Sequence, residues 1–153
     1  MEKILNTPIE NVNYFLRKKG DIYLVDQEIQ FYDLKAKHAL IETIEDIVSQ
    51  VKIIFEKSER EALLKILIKQ YGNPTHYYDD STTEKLLEGD FTTWVIRKMN
   101  MIPYGKNRII KLNNNIWVCD DYLIKILDFS TIDGFEGDYT YLIFSRKVSE
   151  NRF

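Results

Sequence analysis

"DIYLVDQEIQFYDLKAKHALIETIEDIVSQVKIIFE", residues 21 to 56, admits two readings that lead to different molecules. As a helix, Leu40, Ile44, Ile47 and Val51 recur at three- and four-residue spacing. As strands, Ile29 and Phe31 alternate with polar neighbours, and "VKIIF" is β-branched and aromatic. Strands broken by a turn near Glu45 and Asp46 are the preferred reading, with the competition confined to residues 34 to 54. The choice decides which acids of this stretch lie together.

On its C-terminal side the signals are clearer. Ser58 is followed three residues later by Glu61, the spacing of a capping box. "ALLKILIKQY" then sets Leu63, Leu64, Leu67, Ile68 and Tyr71 on one broad face. Gly72 stands where a helix ends, and Pro74 opposes its return. The spacing predicts an amphipathic helix over about residues 59 to 71. Further on, "FTTWVIRKM", "NRIIKL", "NIWVC", "YLIKILDF" and "YTYLIFSRKV" read as short strands. "LNNNIW" suits a hairpin turn, and "DFSTIDGFEGDYTYL" a longer loop before the last strand. On the N-terminal side, Pro8, Ile9, Val12, Phe15 and Leu16 predict a short helix over residues 8 to 19, closed by Gly20.

The expected fold class is α+β: an antiparallel β-meander of about five to seven strands. One main amphipathic helix packs on a sheet face, with a short helix near the N-terminus. No repeat or linker divides the chain, so residues 1 to 153 are read as a single globular domain. That length buries a core without crosslinks, and with one cysteine, Cys119, a disulfide scaffold is excluded. Cys119 lies in the alternating run "NNIWVCDD" and reads as a structural strand thiol. No window is apolar enough for a signal peptide or a bilayer span, so a cytoplasmic protein without membrane contact is expected.

Catalytic signatures are absent. There is no phosphate-binding glycine loop, dinucleotide fingerprint, His-Glu-x-x-His pair or nucleophile elbow. Two histidines and one cysteine do not make an ordinary zinc centre, and neither cofactor nor metal is expected. His76 with Asp79 and Asp80 could supply an acid and a base, and Asp79 and Asp80 with Glu84 form a carboxylate cluster. A second carboxylate run joins Asp133, Glu136 and Asp138. Neither has EF-hand spacing.

Charge is segregated along the chain. Residues 91 to 119 hold no acid, while Arg97, Lys98, Lys106, Arg108 and Lys111 give +5, with Tyr104 as an aromatic neighbour. Residues 120 to 138 carry six acids against Lys125, giving −5. Upstream, Glu42, Glu45, Asp46, Glu56, Glu59 and Glu61 form a second acidic set. Solvated faces with cross-strand pairs are the plain reading of such patterns. The functional expectation is a small non-catalytic intracellular protein-interaction module, in the manner of an inhibitor, immunity or adaptor protein. It would bind another protein through an exposed sheet face or its acidic surface. Two alternatives stand beside it: nucleic-acid binding through residues 97 to 111, and a hydrolase or metal-dependent enzyme built on residues 76 to 84.

Overall fold

Glu45 and Asp46 both hold left-handed backbone, with φ of 53° and 63°. They turn β5 (His38–Ile44) back onto β6 (Ile47–Glu56) as an antiparallel hairpin. Residues 38 to 56 are therefore strands, and the helical spacing of Leu40 and Val51 is coincidental. The first belongs to one face of the sheet and the second to the other. The computed structural model describes residues 1–78, 101–106, 108–132 and 135–147.

The other strands are β1 (Leu16–Lys19), β2 (Ile22–Val25), β3 (Gln30–Phe31), β4 (Leu34–Lys35), β7 (His76–Tyr77), β8 (Ile102–Pro103), β9 (Asn115–Val118), β10 (Tyr122–Ile132) and β11 (Phe135–Arg146). Among the described residues one α-helix, α1, spans Arg60–Tyr71, and nine strands form one antiparallel sheet in the order β1-β2-β5-β6-β11-β10-β9-β7-β8, with β3 paired to β4 alongside. The class is α+β, with more strands than the five to seven expected. Two meanders, β1-β2-β5-β6 and β11-β10-β9, are fused by the pairing of β6 with β11.

Both faces of the central strands are buried, which explains the weak alternation of the sequence. β6 is buried without a break from Val48 to Phe55. A bulge at Ser49, whose hydroxyl donates to Glu42 O at 3.2 Å, lets Val48 and Val51 enter the same core. On that face Leu63, Leu64 and Leu67 of α1 pack with Ile41, Val51, Ile53, Phe55, Ile126 and Phe144. Burying each leucine contributes roughly 1.5–3 kcal/mol. Gly72, at φ 81°, ends the helix, with its N–H donating to Ile68 O. Trp117 Nε1 donates to Gly72 O at 2.9 Å, tying that end to β9. At the other end Arg60 pairs with Asp128, which also accepts a 2.6 Å bond from the Thr140 hydroxyl. The opposite face joins Leu40, Ile54, Tyr78, Ile116, Leu127, Tyr141 and Ile143. It also takes in the buried Gln50, Lys52 and Lys125. Among the described residues no helix is long and apolar enough to cross a membrane.

Several expectations change. The N-terminal helical element is realised as 3-10 turns at Glu2–Ile4 and Ile9–Asn11, and Leu16–Lys19 is a strand. Gly20, at φ 62°, turns that strand onto β2 where a helix end was expected. Ser58 lies inside a 3-10 turn, Lys57–Glu59, that leads straight out of β6, and no side-chain cap bond forms at α1. Residues 108–112 are not a strand, and β9 pairs with β7 and β10 instead. The loop expected over "DFSTIDGFEGDYTYL" is largely strand, because β10 runs to Ile132 and β11 starts at Phe135. The strand expected at "FTTWVIRKM" lies outside the described residues.

Candidate functional site

Thr75 organises the far end of the sheet. Its N–H and hydroxyl both donate to Ile116 O, at 2.9 and 3.2 Å, and its hydroxyl accepts Val118 N–H at 3.0 Å. Its carbonyl accepts Tyr104 N–H at 3.0 Å. His76 Nδ1 lies 2.8 Å from the same hydroxyl, and burial pushes the imidazole pKa down. The chain after β8 is thereby anchored beside Tyr77.

A buried polar hub then closes the loop between β8 and β9. The Tyr104 hydroxyl donates to Asn115 Oδ1 and accepts Lys111 N–H at 3.1 Å. Asn115 Nδ2 donates to Lys111 O at 2.6 Å, with Asn115 itself fully buried. Desolvation pushes the Tyr104 pKa up, opposed by Lys111 N–H and the nearby Arg108 charge. These bonds occupy the Lys111 backbone groups that a strand over residues 108–112 would need, and "RII" runs as a loop instead.

The Tyr77 ring lies under this loop, 3% exposed, with its centroid 4.9 Å from that of Tyr104. The Arg108 guanidinium sits 4.3 Å from the Tyr77 centroid and Lys111 Nζ 4.6 Å from it. Each cation–π contact is worth about 0.5–2 kcal/mol, depending on desolvation. Two cations are thus held in place by one ring, without a carboxylate partner among the described residues. Between them Ile109 projects into solvent at 89% exposure, with Lys106 exposed nearby. The described residues offer an exposed isoleucine flanked by two cations that lie over one ring.

Of the basic set read from the sequence, Tyr104, Lys106, Arg108 and Lys111 come together here, and Arg97 and Lys98 lie outside the described residues. Ile109, Tyr77 and Asn115 were not singled out. The run "RIIK" carried the signal, but it was read as part of the strand "NRIIKL".

The acidic set is dispersed. Glu42 is half-buried and pairs with Lys52 at 3.1 Å. Glu45 and Asp46 are exposed at the hairpin tip and, with Glu10, line a cleft of about 480 Å³. Glu56, Glu59 and Glu61 lie at the other end of β6, roughly 30 Å away at ~3.3 Å per residue. Glu56 pairs with Lys37 at 3.0 Å, and Glu61 lies 3.9 Å from Lys65 one helical turn on. Among the described residues no group of three or more His, Cys, Asp or Glu is arranged to hold a metal ion. Asp79, Asp80 and Glu84, the carboxylates expected beside His76, lie outside the described residues. Cys119 is half-buried just after β9, and burial pushes its thiol pKa up. Comparison of the chain with protein-family models, with curated proteins and with solved structures finds no match.

Proposed function

We propose that the protein is a small interaction module that docks an acidic protein partner through the loop of Tyr104, Lys106, Arg108, Ile109 and Lys111. An inhibitor, immunity or adaptor role belongs with this reading. So does a cytoplasmic location, in keeping with the single free thiol of Cys119. The observation that carries the proposal is Ile109, exposed at 89% two residues before Lys111, whose backbone N–H and C=O are held by Tyr104 and Asn115. Holding a bulky apolar group in water on an ordered loop offers the folded chain no stabilisation. Buried at an interface, the same group contributes about 1.5–3 kcal/mol. An apolar centre with an arginine and lysine rim matches the anatomy of protein interfaces, and the fixed loop lowers the entropy lost on docking.

The geometry favours protein over nucleic acid. Single-stranded nucleic acid stacks its bases on open aromatic faces, whereas the Tyr77 ring is covered by Arg108 and Lys111. The sheet faces expected as docking surfaces are buried at their centre, and the acids divide between distant ends of β6.

A photo-crosslinking residue at position 109, used in the native cell, tests the proposal. The expected result is one crosslinked protein. Its complex with otherwise wild-type chain should weaken at least about tenfold with Ile109→Asp, and again with Arg108→Glu and Lys111→Glu together. Crosslinked nucleic acid, with binding indifferent to Ile109→Asp and lost with the charge reversals, would replace this reading by the nucleic-acid one. The absence of any crosslinked macromolecule would remove the loop as a docking site.

A further inference from the structure

The nine-stranded sheet ends differently on its two sides. β8 is two residues long and finishes in Pro103, which has no N–H to offer. At the other side β1 has a single neighbour, β2, among the described residues. The hairpin register pairs Arg17 with Leu24 and Lys19 with Ile22, and Asp26 N–H donates to Phe15 O at 2.7 Å. In an antiparallel ladder, inward- and outward-bonding residues alternate. Phe15, Arg17 and Lys19 therefore bond inward, and Leu16 and Lys18 aim their N–H and C=O groups out of the sheet. Phe15 N–H, on the inward side, is taken by Gln27 Oε1 at 2.8 Å, and by alternation the outward groups of the open edge begin at Leu16.

The side chains around this edge are selective. Arg17, Lys18 and Lys19 are exposed, and none of them is in an ion pair with a described residue. Phe15, on the same face as Arg17 and Lys19, is 76% exposed. Lysine on an edge strand normally repels unwanted pairing. Here it rejects a second copy of β1, whose antiparallel addition would set three cations against three. A strand bearing carboxylates is attracted by the same charges.

We infer that β1 is a strand-addition site for an extended acidic segment of a partner protein, with Leu16 and Lys18 supplying the main-chain bonds, Arg17, Lys18 and Lys19 selecting carboxylates, and Phe15 receiving an apolar side chain. The site stands apart from the 104–111 loop. Eight strand spacings of ~4.8 Å separate the two edges of the sheet, so one surface can fail while the other holds.

The test uses a blocked peptide of three glutamates followed by two valines, which antiparallel addition sets opposite Lys19, Lys18, Arg17, Leu16 and Phe15 in turn, and its counterpart with lysines for the glutamates, each added at millimolar concentration to the full chain. Amide hydrogen exchange and NMR shifts are read residue by residue. The acidic peptide is expected to slow exchange at Leu16 and Lys18 by about tenfold or more, leaving the already bonded Arg17 and Lys19 amides as internal references. Lys18→Pro removes an outward donor without breaking the β1–β2 ladder, so it should abolish the slowing while the hairpin shifts persist. Reversing Arg17, Lys18 and Lys19 to Glu should transfer binding to the basic peptide. No slowing at Leu16 and Lys18, binding unchanged by Lys18→Pro, or shifts confined to residues 104–111 would each overturn the assignment.

Discussion

Lys125 sits in β10 between Ile143 of β11 and Ile116 of β9, completely buried. Its Nζ has no hydrogen-bond partner among the described residues, and desolvation holds its pKa well below the ordinary 10.5. Lys52 lies on the same face two strands away, beside Glu42. One buried lysine therefore has a carboxylate beside it, and the other has no hydrogen-bond partner among the described residues. Replacing Lys125 by Met keeps the volume and removes the desolvated nitrogen, so the variant should be more stable at neutral pH by about 1–3 kcal/mol. The sign of the pH dependence follows from the depressed pKa. Between the lowered folded pKa and 10.5 the unfolded chain binds more protons than the folded chain, so wild-type stability rises with pH through that window. The advantage of Lys125→Met should shrink with rising pH, by up to about 1.4 kcal/mol per unit. Urea unfolding of both proteins at pH 7 and near pH 9.5 measures the two gaps. An equal gap at both values would show that Lys125 is charged in the fold.

At the level of elements, the β5–β6 turn is the most improvable junction. Glu45 and Asp46 occupy left-handed conformations that cost side-chain-bearing residues about 1 kcal/mol each, while a two-residue hairpin of this hand prefers Asn-Gly. Glu45→Asn combined with Asp46→Gly should raise stability by about 1 kcal/mol, or roughly 2–4 °C in Tm for a domain of this size. The Asp46 carbonyl that accepts Ile9 N–H at 2.8 Å is retained. A lowered Tm would mean that a side-chain contact of Glu45 or Asp46 outweighs the backbone strain it carries. The turn was legible in the sequence because two long apolar runs flank a polar pair. Helix α1 was legible because Leu63, Leu64 and Leu67 share a face and Gly72 follows. β1 was not: Phe15 continues the helical spacing of Ile9 and Val12, yet is exposed, and four residues gain strand geometry only from the Gly20 turn and the neighbouring β2. The candidate loop was half legible. Its charges stand out, but the hub that denies residues 108–112 a strand depends on Asn115 and Tyr104 meeting in space.

For the molecule as a whole, the decisive pairing is β6 with β11, from Glu56 opposite Tyr139 to Gln50 opposite Ser145. It joins the first meander to the last, so neither completes a core without the other. A chain cut at residue 120 retains β6 and α1 but loses Ile124, Ile126, Leu142 and Phe144 from the shared core. That fragment should show no cooperative unfolding transition, whereas the whole chain should unfold in one step by circular dichroism and tryptophan fluorescence. A fragment melting cooperatively would mean that the first meander is a folding unit in its own right. The same pairing bears on synthesis. At about 5–20 residues per second, the ribosome needs roughly 4–16 s to pass from the end of β6 at Glu56 to the start of β11 at Phe135. Throughout that interval the nascent chain holds one of its most apolar strands without its final neighbour, which makes this window the one in which a chaperone has most to protect.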